Sequence, residues 1–169
     1  MQINVVKDKN ISSIKKLVIS GLVIGMYVIV MYFTQSFAFG QYQIRIATSL
    51  YALGGIFPFL IVPMGIANLI SNTLMGGLGI FDMVGGAAVG ILASGLAYLI
   101  KKLNLNDWFV TLPIVFIPGL VVPIWLSLLI HVPYKVLAIS ICIGQIIPAI
   151  VGVLLLKQLR KVLSDCYHC

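Results

Sequence analysis

Glutamate is absent from this 169-residue chain, and Asp8, Asp82, Asp107 and Asp165 are its only acidic residues. Charged side chains of both signs make up 9% of the sequence, against about a quarter in a water-soluble domain. This scarcity excludes several activities. No two carboxylates stand at helical spacing, so general acid–base chemistry lacks its usual pair. Only Asp82 lies near an apolar run, so a proton relay through the membrane lacks carboxylates along its path. The phosphate-cradling G-x-x-x-x-G-K-[ST] loop, the zinc-protease H-E-x-x-H and the hydrolase G-x-S-x-G are all missing. Three cysteines add little: Cys142 sits within an apolar run, and Cys166 and Cys169 close the tail with His168 between them. Two thiols and one imidazole are too few for a closed tetrahedral zinc site, so a reduced, unstructured tail is expected and no metal or cofactor.

What is abundant is apolar surface, 61% of the residues. That composition belongs to integral membrane proteins, and the length suits one compact membrane domain over 1–169. Apolar runs cover residues 17–34, 46–62, 64–79, 83–100, 110–130 and 136–156. The expected fold is therefore an all-α bundle of six transmembrane helices. The first run, Leu17 to Thr34, spans ~27 Å at a rise of ~1.5 Å per residue. It is too long for the core of a cleavable signal peptide, and no small-residue cleavage site follows it. The run at 64–79 is the weakest, diluted by Asn68, Ser71, Asn72 and the glycines 76, 77 and 79. Residues 46–100 would reach ~80 Å as a single helix, nearly three bilayer thicknesses, which favours three spans there over one.

The basic residues sit at the ends of these runs rather than in an aromatic-interleaved patch, so nucleic acid is not an expected partner. Lys7, Lys9, Lys15 and Lys16 precede the first run, Lys101 and Lys102 interrupt the middle, and Lys157, Arg160 and Lys161 follow the last. With four spans and then two between these groups, nine Lys/Arg face the cytoplasm and only Arg45 and Lys135 face outward. Both termini are then cytoplasmic, in the cell membrane. In that orientation Gln41, Gln43, Arg45, Thr48, Asn72, Asp82, Trp125, His131 and Lys135 fall in the outer half or at the outer mouth. Asn68 lies nearer the inner end of its run, and Gln145 about midway along the last.

A polar group in hydrocarbon is expensive, ~2.5 to 3.5 kcal/mol for a central Arg or Asp, so such groups turn toward a bundle interior or a wet cavity. Each residue alone also fits a plainer role. Arg45 and Lys135 suit interfacial anchors, and Asn72 and Thr48 suit hydrogen bonds between helices. Their clustering points to one outward-facing pocket holding Gln41, Gln43, Arg45, Thr48, Asn72, Asp82, Trp125 and Gln145 as substrate-binding residues. Gly21 and Gly25 form G-x-x-x-G on the inner half of the first run, which permits close helix approach by a membrane partner or within the chain.

The stretch "FGQYQIRIATSLYALGGIFPFLIVPMGIANLISNTLMGGLGIFDMVGGAAVGILASGLAYLI", from Phe39 to Ile100, resembles the QueT family. The landmarks are Gly40, Arg45 before a small-residue helix start, Pro58, Asn72 ahead of the glycines, and "GLGIFD" ending in Asp82; "IGQIIPAIVGVLLLK" matches more loosely. The resemblance implies a substrate-binding subunit of an energy-coupling factor importer for queuosine precursors. Such a subunit is a six-helix bundle that captures its ligand from outside and docks onto a transmembrane coupling protein driven by two ATPase subunits. Gly21 and Gly25 occupy the place of the small residues that face the coupling protein. The family's pattern carries an acid three positions after this arginine and another in the last helix; Thr48 and Gln145 stand there instead. Their neutrality favours a neutral or weakly basic ligand over an aminomethyl cation, and amides can both donate and accept toward a guanine-like edge. Tyr42, Phe39 and Trp125 are candidates to stack on its face. Two other readings remain at this point: the same architecture with a different vitamin or nucleobase-like cargo, and a solitary secondary carrier.

Overall fold

All regular structure among the described residues is helical; the structure, a computed structural model, describes residues 11–40, 43–76 and 78–167. Helix α1 runs Ser13–Ala38 and begins where the Ser12 hydroxyl accepts from the Lys15 backbone N–H. A 3-10 helix follows at Ile46–Gly55. A short turn at Pro58–Leu60 leads into α2 (Ile61–Ser71), which ends in a wide π-turn at Asn72–Gly76. Helix α3 covers Ile80–Lys102, α4 Thr111–Ile130, α5 Tyr134–Gly144 and α6 Ile146–Tyr167. Among the described residues, five stretches are long and apolar enough to cross a membrane: Ser13–Ala38, Pro58–Gly76, Ile80–Lys102, Asp107–Ile130 and Tyr134–Asp165.

The second apolar run departs from expectation. Its pattern predicts a span to Val62 ending at Pro63, but the backbone breaks at Ile56 and Phe57, and Pro58 and Pro63 fall in the first turns of the next stretch. Ten residues at ~2.0 Å each give the 3-10 helix a length of ~20 Å, short of a ~30 Å hydrocarbon core. Such a helix survives in a membrane protein because the other helices surround it: every residue from Ala47 to Gly55 is buried. Small residues make the enclosure possible. A Cβ on Gly54 would lie 2.7 Å from the Ser94 carbonyl oxygen, and one on Gly152 would lie 2.8 Å from that of Ser49. Close backbone approach of this kind supplies the dispersion contacts that hold helices together where lipid offers no hydrophobic drive.

The last run bends within its length. Pro148 has no N–H to give the Gly144 carbonyl, so the helix is interrupted at Gln145, whose side chain turns fully inward. Beyond the bend α6 continues eleven residues past the expected end at 156, so Lys157, Arg160 and Lys161 ride on a helix, and the tail expected to be unstructured is helical from Asp165 to Tyr167. Helix α1 is the most peripheral; its outer face presents Leu17, Leu22, Phe33 and Phe37.

The ends of the bundle differ. Lys16 approaches the ring of Phe59, Lys101 packs where a Gly55 Cβ would stand, and Asp107 binds both Lys101 and Arg160. The start of α1, the α3–α4 connection and the far half of α6 thus share the end reached by Gly55. Arg45, at the other end of the 3-10 helix, marks the opposite pole.

Candidate functional site

Arg45 precedes the 3-10 helix and carries the site's guanidinium, 6% exposed. Its Nη1 donates to Asn72 Oδ1 at 3.1 Å and, more weakly, to Asn68 Oδ1 at 3.4 Å. Each amide passes the chain on. Asn72 Nδ2 donates to the Asp82 carbonyl at 2.8 Å, while Asn68 Nδ2 donates to the Tyr51 hydroxyl at 2.6 Å, which in turn pairs with the Tyr27 hydroxyl at 3.2 Å. Gly86 makes room for this: a Cβ there would stand 2.4 Å from Asn72 Nδ2 and 3.1 Å from Asn68 Oδ1.

A second limb crosses from the 3-10 helix to the bend in the last run. The Thr48 hydroxyl lies 2.7 Å from both the Arg45 carbonyl and Gln145 Oε1 and can donate to one at a time. Gln145 Nε2 donates to the Gln43 carbonyl at 3.1 Å. Gln43 adopts φ 44°, a left-handed conformation costing roughly 1–2 kcal/mol outside glycine, so this contact holds a strained carbonyl in place. On the far wall, Trp125 Nε1 donates to Asp82 Oδ1 at 3.3 Å, and its indole packs against Gly85. Phe39 covers Arg45 from the side, its ring centre 4.9 Å from the guanidinium carbon.

Gln43, Arg45, Thr48, Asn72, Asp82, Trp125 and Gln145 therefore line one chamber, with Tyr51, Asn68, Gly86, Val89, Pro118 and Val122 completing it. About 300 Å³ of unfilled space lies among these side chains, counting the part open to the outside, but the room for a water-sized body is only about 10 Å³, roughly one molecule. The chamber is contracted, and a larger solute requires its walls to move apart.

Of the other positions singled out in the sequence, Gln41 and Tyr42 lie outside the described residues, as do His168 and Cys169 of the tail. His131 and Lys135 are exposed and do not line the chamber. At Gly21 and Gly25 an added methyl group would meet no atom within 4 Å, which leaves that face of α1 unpacked. Among the described residues no cluster of three metal-ligating side chains occurs.

Sequence reading passed over two polar members, Asn68 and Tyr51, besides the apolar and glycine residues of the wall. Asn68 belongs to the chamber because its helical stretch starts at Pro58, not Met64, which moves it to mid-length and beside Arg45. Its spacing of four from Asn72 was the available signal, since such residues share a helix face. Tyr51 was hidden in an apolar run. The other pole has its own cluster: Asp107 binds Lys101, and both its oxygens accept from Arg160 Nη1, at 2.7 and 2.9 Å.

No curated protein and no solved structure matches this chain. A family model does, over residues 17–161, nearly the whole bundle and every lining residue of the chamber. The chain, a multi-pass membrane protein, belongs to the QueT transporter family.

Proposed function

We propose that this protein is the substrate-binding subunit of an energy-coupling factor importer, taking up a queuosine precursor or similar deazapurine. The observation that carries the reading is the convergence of seven polar or aromatic residues from five separate stretches of the chain (43–48, 72, 82, 125 and 145) on one chamber at the pole opposite the lysine-rich end. Positive-inside bias sets that lysine-rich end, and with it both termini, in the cytoplasm, so the chamber opens to the exterior of the cell. Arg45, Asp82 and the surrounding amides supply donors and acceptors, and Phe39 and Trp125 supply aromatic faces for a flat solute. The function is capture and release without a covalent step. Energy comes from a transmembrane coupling protein and two ATPase subunits, docked through the unpacked face of α1 at Gly21 and Gly25.

The test is a titration of the purified chain, in lipid nanodiscs, with a panel of deazapurines and other vitamin-like solutes, followed by Trp125 fluorescence. Trp108→Phe leaves Trp125 as the sole indole. Saturable quenching by a deazapurine supports the cargo; quenching by a different solute alone reassigns it. Uptake by liposomes holding only this chain would sink the multi-subunit reading in favour of a solitary carrier.

A further inference from the structure

Hydrogen-bond capacity in the chamber is unevenly spent. Asn68, Asn72, Thr48 and Gln145 are engaged with one another, with Arg45 or with backbone carbonyls. Two buried atoms among the described residues have no partner: Arg45 Nε, a donor, and Asp82 Oδ2, an acceptor. Their residues are 6% and 2% exposed, and both line the chamber. The two do not neutralise each other by contact, for the Arg45 guanidinium is spent on Asn68 and Asn72, and the Asp82 carboxylate on Trp125. Asp82 also stands in the first turn of α3, where the helix dipole favours a carboxylate, but that field gives Oδ2 no hydrogen bond. Gly76 leaves room beside Oδ2, since a Cβ there would lie 2.9 Å from it and 3.3 Å from the Phe39 ring. An unsatisfied buried donor or acceptor is costly, more so on a charged group, and natural proteins retain one where something else completes it.

From this we infer that Arg45 Nε and Asp82 Oδ2 are the two atoms that read the cargo, which carries no net charge and offers an acceptor to the first and a donor to the second. Asn68 and Asn72 hold the Arg45 guanidinium, Trp125 holds Asp82, and Thr48 holds the Arg45 carbonyl, so these residues position the two. The formal charges of Arg45 and Asp82 cancel, and the other lining residues are neutral. A neutral solute bridging both atoms adds no charge to a buried space, whereas a cation or an anion leaves one uncompensated charge there. This inference rests on the proposed binding role and adds the charge class of the cargo and the atoms that select it.

The experiment compares three deazaguanines that differ only at the 7-substituent: the neutral nitrile, the cationic aminomethyl and the anionic carboxylate compounds. Each is titrated against the parent chain, Asp82→Asn and Arg45→Gln in nanodiscs, with thermal unfolding as the check that each variant is folded. The parent is expected to bind the nitrile at least about tenfold more tightly than either ion. Asp82→Asn, which keeps an acceptor for Trp125, should shift the preference toward the carboxylate, and Arg45→Gln toward the aminomethyl cation. Should Arg45→Gln not fold, the near-isosteric Asp82→Asn decides alone. Equal or tighter parental binding of either ion overturns the inference. So does an Asp82→Asn profile identical to the parent's, which would mean that a resident water satisfies both atoms. If none of the three binds, the deazapurine cargo fails, and the charge rule is read from the solute that co-purifies with the parent: mass spectrometry showing a net-charged molecule overturns the rule, a neutral one upholds it.

Discussion

Two polar clusters flank the 3-10 helix at its opposite ends, one buried and one half-buried, and they are completed in different ways. At the Gly55 end, Asp107 meets two cations: Lys101 donates to it and to the Leu105 carbonyl, and Arg160 grips both carboxylate oxygens. That arrangement ties the α3–α4 connection to α6, and nothing about it invites a further partner. At the Arg45 end, one guanidinium and one carboxylate are buried without touching: Asn72 carries the chain from the guanidinium to the backbone carbonyl of Asp82, Trp125 holds one carboxylate oxygen, and each charged group keeps an unpartnered atom. Under the proposed binding role the difference has a meaning: the closed cluster serves architecture, and the open one leaves its two atoms for the cargo.

The comparison can be broken by substitution. The largest effect is expected from Arg45→Ala, which removes the guanidinium and leaves the side-chain oxygens of Asn68 and Asn72 without their donor: binding should weaken by about 2–5 kcal/mol while membrane insertion persists. If calorimetry finds parental affinity, the open cluster is not the site. Asp107→Ala should act the other way, lowering stability by about 2–4 kcal/mol because Lys101 is left buried without its counter-charge, with ligand affinity unchanged. A loss of affinity with an unaltered melting temperature would merge the two clusters' roles. Gly86→Ala tests the amide hinge of the open cluster: its methyl meets Asn72 Nδ2, so affinity should fall by about 1–3 kcal/mol through displacement of Asn68 and Asn72. Tyr27→Phe removes one hydroxyl of the outermost pair and should cost about 1 kcal/mol of stability, with little change in affinity. Smallest on the isolated chain is Gly21→Leu, which should leave stability and binding at parental values and reduce only co-purification with a coupling protein.

Much of the chamber was legible because membrane solvent makes polar residues conspicuous. Arg45, Asn72, Asp82 and Gln145 stand out from their apolar surroundings, and lysine placement alone gathers most of them toward one pole. Residues with ambiguous chemistry were not separable in this way. His131 and Lys135 lie toward the same pole by the same reasoning yet are exposed, because the α4–α5 connection carries them away from the chamber. Tyr51 gave no warning, since a tyrosine in an apolar run reads as core, and Asn68 was placed too near the inner end because its helical stretch begins earlier than the prolines suggest.

Composition and periodicity by themselves determined the all-helical membrane class, the succession of apolar runs and the segregation of basic residues, because the transfer of backbone and charge into hydrocarbon is governed by local length and polarity. Only the tertiary structure decided that the second run is a 3-10 helix, that the last run bends at Gln145, and that Arg45 Nε and Asp82 Oδ2 are the buried side-chain atoms left without partners among the described residues. A 3-10 helix is stable here only when neighbours enclose it, and a hydrogen bond is missing only relative to all the groups packed around it. Both are properties of the assembled bundle, which no single segment encodes.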